Sequence, residues 1–336
     1  MSDRTIGLKL PTAGSHPDRP VAMSAGEWGV RAEELGYDSL WVSEAWGANA
    51  VAELTEIAVE TETIRPCTAV LNVYSRTPAV LAMAGATLQR LSDDRAVLGV
   101  GPSHAGAIEA FHGMSYDRPV RRTHEAIELV KELTGSSSDV AYHGEVFDVE
   151  GLSGFDRSVP VYNAALGEAN RRATGRVADG WLPYMFPISA FDEAFETIAE
   201  TAREADRDPD DIEVTPQILA AVSDDVENAK DVIRTYIARY VGRFENYRNA
   251  LANWYPEEAR AIGEQWEADG LDAARAAVTD ELVFELGVAG TPDDAREQLR
   301  DVVDTTIADC PIVYVPREVP PALRDDTIEA LSPDRL

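Results

Sequence analysis

Short apolar runs rich in β-branched residues recur along the chain, separated by polar segments whose apolar residues fall at three- and four-residue spacing. The runs TIGLKL (5–10), SLWVSE (39–44), PCTAVL (66–71), AVLGVG (96–101), VPVYNA (159–164), DGWLPY (179–184), IEVTPQILA (212–220) and PIVYVP (311–316) read as eight buried strands. Helix signals fill the gaps. Ser24 and Glu27 have the spacing of a capping box in a helix that Gly36 closes, and Pro78 opens a helix turning Leu81, Leu88 and Leu91 towards a core. Ile188, Phe191, Phe195, Ile198 and Ala202 form one apolar stripe on a polar helix. This alternation predicts an α/β fold, a (β/α)8 TIM barrel in a single domain over 1–336, ahead of a doubly wound open sheet. Two gaps exceed a simple βα unit: 102–158, with a helix near 119–134 and a hairpin at AYHGEVFDVEG (141–151), and 223–310, mostly helical. These insertions follow strands four and seven and in such a barrel lie on the catalytic face.

Charge changes the picture of where such a fold works. Sixty acidic residues face 30 basic ones, a net charge of −30, and only Lys9, Lys131 and Lys230 are lysine. So acidic a surface repels itself in dilute salt and is screened in molar salt, which suits a haloarchaeal cytoplasm and excludes a nucleic-acid backbone as partner. No run approaches the ~20 apolar residues of a membrane span, and MSDRTIGLKL lacks the apolar core of a signal peptide, so a cytoplasmic protein is expected. Cys67 and Cys310 have neither disulfide-framework nor zinc spacing, and His16, His112, His124 and His143 show no metal-triad spacing; no metal is expected.

Barrel chemistry belongs to the C-terminal ends of strands. There the chain offers Glu44 and Trp46 after strand two, Asn72 and Arg76 after strand three, and Gly101 and His104 after strand four. VLGVGPSHAG (97–106) lacks the third glycine of a dinucleotide fingerprint; instead Gly99 and Gly101 would let a flat ring approach the backbone. His104 is the acid/base candidate, since imidazole titrates near neutrality. Glu44 accepts from a bound ring, or is a carboxylate buried against an arginine. Trp46 walls a substrate pocket or simply packs, and Arg76 grips an anionic substrate group or forms a structural ion pair. After strand five, Gly167 precedes a helix start bearing Arg171, Arg172 and Arg176, either a phosphate site or a set of surface ion pairs.

GYDSLWVSE, YSRTPAVLAMAGATLQRLSDDRAVLGVGPS, RPVRRTHEAIELVKELTG, HGEVFDVEG, VPVYNAALGEANRRATGRVADGW and VAGTPDDAREQL together resemble the luciferase-like monooxygenase superfamily, in its coenzyme F420-dependent branch related to methylenetetrahydromethanopterin reductase. The resemblance implies F420, with FMN as the alternative, at the C-terminal mouth of the barrel. Its ring would lie across Ala69, Val70, Asn72, Glu44, Trp46 and the Gly101–His104 turn, with Ala69–Val70 as a cis peptide behind it. Its phosphate would rest on Ala164, Ala165, Leu166, Gly167, Glu168 and Ala169, and Arg171 and Arg172 would serve an anionic tail. The implied activity is hydride transfer to or from a small organic substrate, in a homodimer or larger homo-oligomer; an FMN monooxygenase or a non-turning-over binding protein are the alternatives. Three positions depart from the branch: Lys9 stands where the reductases carry glutamate, Glu44-Ala45 where Asp-His is common, and His104 where an acidic residue is usual.

Overall fold

A computed structural model describes residues 5–10, 23–45, 47–317 and 319–336. Trp46 and His16 lie outside the described residues. The chain forms two compact units, one of residues 12–182 and 195–213, the other of residues 1–11, 183–194 and 214–336.

In the first unit the strands Ser39–Val42 and Arg65–Thr68 pair in parallel, and Leu71–Asn72, Leu98–Gly101, Val161–Asn163 and Gly180–Trp181 follow one another as parallel neighbours. A bridge between Cys67 and Val97 joins the two sets. Every residue of Ser39–Val42, Leu98–Gly101 and Val161–Asn163 is buried, as strands covered on both faces must be. The helix Ala25–Glu34 begins with the expected capping box of Ser24 and Glu27, and Gly36 follows it at φ 81°. Thr77 caps Pro78–Ser92, whose Leu81 and Leu88 are fully buried. The segment after Gly101 holds helices Ala105–His112 and Pro119–Gly135 and the expected hairpin, Asp139–His143 paired antiparallel with Asp148–Ser153.

The second unit has four parallel strands in the order Gly287–Gly290, Gln217–Val222, Ile312–Tyr314, Gly7–Lys9. Helix Val226–Arg243 packs Ile233, Tyr236, Ile237 and Val241 into a core with Leu219, Leu251, Ile262, Leu282 and Leu286. The stretch 223–310 is mostly helical as expected, and within it lies a strand the sequence reading does not include, Gly287–Gly290. It pairs in parallel with Gln217–Val222, and its glycines leave it without the β-branched signature of an apolar strand. Gly287 is required there, because a Cβ would fall 2.5 Å from the Leu219 carbonyl oxygen. Among the described residues no helix is long and apolar enough to cross a membrane.

Candidate active site

Three strand ends of the first unit meet in one row. Asn72 pairs with Gly101, the Val73 N–H donates to the Gly101 carbonyl (3.1 Å), and the Ala164 N–H donates to Val100 (2.9 Å). A Cβ on Gly101 would sit 3.3 Å from the Ala164 Cβ and 3.5 Å from Val70 Cγ2, so the missing side chain lets Val70, Gly101 and Ala164 come together closely at the strand ends. The Ala69–Val70 peptide is cis, as the resemblance implied. Its surroundings hold it on both sides. The Ala69 N–H donates to Val42 (2.7 Å), the Ser43 hydroxyl donates to the Ala69 carbonyl (2.6 Å), and the Glu44 N–H donates to the Val70 carbonyl (3.4 Å). Ser43 was not singled out in the sequence, although it adjoins Glu44. A hydroxyl that grips a carbonyl 26 residues away leaves no local pattern.

Gly99 needs a correction. Its missing side chain faces the Thr68 carbonyl oxygen, only 2.0 Å from where a Cβ would be, and the Thr68 hydroxyl donates to the Gly99 carbonyl at 2.7 Å. It serves close packing of two strands, and Gly101 is the glycine that faces Val70 and Ala164.

Glu44 and Arg76 find each other. Arg76 Nε and Nη2 donate to the two Glu44 carboxylate oxygens at 2.8 and 2.7 Å, and the Ala50 N–H adds a third bond at 3.2 Å. Both side chains are largely shielded, at 15% and 14% exposure. The bond to Glu44 holds the Arg76 guanidinium above its ordinary range against the opposing effect of burial. The Asn72 side-chain oxygen accepts from the N–H groups of Tyr74 (3.1 Å) and Ser75 (2.7 Å), which shapes the loop that delivers Arg76. His104 caps the helix Ala105–His112, its Nδ1 accepting from the Ala107 N–H at 3.3 Å.

At the end of Val161–Asn163 the chain turns through Ala164–Gly167 into the helix Glu168–Val177. The Trp181 indole donates to the Ala165 carbonyl (2.8 Å), and Arg171 reaches back to the Leu166 carbonyl (2.6 Å). Arg172 pairs with Glu168 at 3.0 Å and Arg176 approaches Glu204 at 3.8 Å. Gly167 caps the helix without a side chain, and a Cβ there would meet nothing within 4 Å. Among the described residues nothing accepts from the exposed N–H groups of Glu168 and Ala169. Two free donors at the positive end of a helix suit a phosphate. Among the described residues no three His, Cys, Asp or Glu side chains converge as metal ligands.

Parallel strands whose C-terminal ends gather small residues and an open helix start fit the arrangement of α/β barrels, which carry their sites at that end. The chain belongs to the luciferase-like monooxygenase family, whose sequence model matches residues 6–309. It is 27% identical over 325 residues to a putative coenzyme F420-dependent oxidoreductase of Mycobacterium tuberculosis, covering 88% of this chain and 90% of that one. With the 5,10-methylenetetrahydromethanopterin reductase of Archaeoglobus fulgidus it shares 28% identity over 299 residues, covering 84% and 87%. The solved F420-dependent tetrahydromethanopterin reductase of Methanopyrus kandleri superposes with a TM-score of 0.79 at 21% identity, over 98% of this chain and 97% of that one. The fold class is therefore the α/β class with parallel strands that the sequence predicts.

Proposed function

We propose that the chain is a coenzyme F420-dependent oxidoreductase that moves hydride between the deazaflavin and a small organic substrate. The observation that carries this is the open start of the helix Glu168–Val177, where nothing among the described residues accepts from the N–H groups of Glu168 and Ala169, one turn of chain from the strand ends that bring Val70, Gly101 and Ala164 together. A flat ring with a phosphate on its side chain would use the small residues of those strand ends for the ring and the helix start for the phosphate. When bound, a deazaflavin supplies two-electron hydride chemistry without ready activation of oxygen. Ala69, Val70, Asn72 and Gly101 would hold the ring, and Ala164 to Ala169 the phosphate. Arg171, turned onto Leu166, stiffens that turn, and Arg172 remains close to Glu168 at its edge. Glu44 and Arg76 act as a pair that locks the loops after two neighbouring strands. The names of the Mycobacterium relative and of the Methanopyrus structure, both given as F420-dependent, support this cofactor, and the monooxygenase name of the family keeps FMN as the alternative.

The test is a titration of the full chain in molar salt with F420 and with FMN, following tryptophan fluorescence. F420 is expected to bind more tightly, and Gly101→Ala, whose Cβ would crowd Ala164 and Val70 at the strand ends, to weaken it at least tenfold with the fold retained by circular dichroism. Tighter binding of FMN would move the assignment to the monooxygenase alternative.

A further inference from the structure

The second unit holds a cavity of its own. Asn228, Val232, Tyr236 and Arg239 recur at the three- and four-residue spacing of one face of the helix Val226–Arg243, and that face lines a space of about 310 Å³. Small-molecule sites run from ~300 to 1,000 Å³, so this one suits a compact ligand. Its base is rigid. Tyr236 is buried, stacks on Tyr240 at 4.5 Å between centroids, and has its hydroxyl engaged by those of Tyr184 (2.5 Å) and Tyr314 (2.7 Å), so it offers the cavity a ring and no spare donor. A second wall comes from the segment after Ile312–Tyr314, where Pro316, Val319 and Pro320 line the same space. The two prolines fix their own backbone angles, and the Val319 N–H bonds back to the Pro316 carbonyl at 3.3 Å.

Against these apolar walls stand hydrogen-bonding groups with nothing to bind. Arg275 lines the cavity from the helix Leu271–Ala276, beside Ala274, which is buried in the same core as Tyr236. Its acidic contact among the described residues is Asp272 at 3.9 Å, beyond hydrogen-bond length. Neither its guanidinium nor the Asn228 side-chain amide has a hydrogen-bond partner among the described residues. The neighbouring cations are spent differently. Lys230 reaches Asp280 at 2.9 Å, and Arg234 reaches Asp231 at 2.7 Å, which answers the one carboxylate that lines the cavity. On a chain with two acids for every base, a guanidinium beside a cavity and out of reach of a carboxylate is suited to one brought by a ligand.

We propose that this cavity is a further binding site of the protein, for a small carboxylic acid with a branched aliphatic body. The carboxylate pairs with the forked donors of Arg275, with the Asn228 amide as an added donor, and the body lies against Val232, Val319 and the two prolines. A monoanion fits better than a phosphate dianion, because Asp231 on the same wall and the net charge of −30 repel each added negative charge. None of these residues belongs to the strand ends and helix start assigned above to the deazaflavin.

The test is saturation-transfer NMR on the full chain in molar potassium chloride, with no deazaflavin added. The probe is 4-methylpentanoate, its neutral counterpart 4-methylpentanamide, and circular dichroism checks the fold of each variant. The acid should bind saturably. Replacing it by the amide, or Arg275 by Gln, should each weaken binding about tenfold or more, the scale of a charged hydrogen bond. Arg260→Gln removes the same charge from a pair with Glu264 (2.9 Å) outside the cavity and should leave affinity unchanged. Val319→Trp fills the cavity from its loop and should abolish binding. Absence of saturable binding, equal affinity for acid and amide, or equal affinity in Arg275→Gln and Arg260→Gln would overturn the proposal. Undiminished binding in Val319→Trp would overturn it as well, and that arm stands even where Arg275→Gln fails to fold. Since no deazaflavin is present, each outcome is read independently of the cofactor assignment.

Discussion

Lys9 shows how far one residue can depart from what its sequence context suggests. Within its unit, Nζ donates to the Gln217 side-chain oxygen at 2.7 Å and lies 5.4 Å from the centre of the Tyr314 ring. The Tyr236 hydroxyl meets that of Tyr314 at 2.7 Å and that of Tyr184 at 2.5 Å, and burial holds Tyr236 and Tyr184 protonated. Burial pulls the Lys9 amine from 10.5 down to about 7. Between these values the unfolded chain binds more protons than the folded one, so this residue makes stability rise with pH from about 7 towards 10.5. Below that window the full cost, roughly 4–5 kcal/mol at ~1.4 per pH unit, weighs against folding. Lys9→Met should therefore melt higher than the wild type at pH 6, and the gain should shrink steadily towards pH 9.5 in paired melts at fixed salt. A constant gain would show that the amine's charge is not its source. The sequence displays the lysine and not its burial, because in a doubly covered parallel strand the apolar run has no alternation from which to read a face. The same holds for Glu44 and Arg76, 32 residues apart, and for Gly99, whose partner is a backbone carbonyl in another strand. What was legible was residue type at strand ends. The partner of each was not.

Elements were more legible than contacts, and the exceptions have physical causes. All eight expected strands are present, but PCTAVL is interrupted at the cis Ala69–Val70 peptide and IEVTPQILA breaks around Pro216 into Glu213–Val214 and Gln217–Val222. The hairpin after Pro119–Gly135 was readable from its turn residues, yet its attachment was not. Glu125 is fully buried and accepts from the N–H groups of Glu145 (2.8 Å), Val146 (2.9 Å) and Phe147 (3.0 Å), and from Arg121 at 2.6 Å. Gly144 leaves the room, since a Cβ there would fall 2.3 Å from a Glu125 oxygen. Burial alone would push this carboxyl up, but the three N–H bonds and Arg121 outweigh it and hold it below its ordinary range. Its contribution is thus present above the ordinary carboxylate range and lost as pH falls through the folded value. Glu125→Gln can satisfy fewer of these donors and should cost about 1–3 kcal/mol. Amide exchange should accelerate at 145–147 and along 139–153, while Leu98–Gly101 stays protected. Uniform acceleration across the unit would show that Glu125 supports more than the hairpin.

Over the whole molecule, net charge decides more than any single pair. Thirty basic groups cannot neutralise sixty acidic ones, and many of them are drawn into local ion pairs. Arg234 contacts Glu227 (3.3 Å), Asp231 (2.7 Å) and Asp280, and Lys230 bridges Glu227 (3.0 Å) to Asp280 (2.9 Å). Salt acts on both terms. It weakens exposed pairs, but each of these contributes only about 0–1 kcal/mol. It also screens the repulsion among an excess of 30 negative charges, whose many-body sum extends over the screening length, about 10 Å at 0.1 M and 3 Å at 1 M. The second term should win, so stability should climb with potassium chloride from about 0.1 M to beyond 1 M, steeply at first and then more slowly as the screening length falls below the spacing of surface carboxylates. Circular dichroism melts across such a series measure it. Replacing part of the chloride by sulfate at equal ionic strength separates screening from the salting-out of apolar surface, since sulfate strengthens burial much more than chloride does. Equal Tm values in the two salts at matched ionic strength would assign the effect to charge. A Tm independent of salt would show that the acidic surface carries no folding requirement, and would remove the ground on which its charge suggested a salt-rich setting.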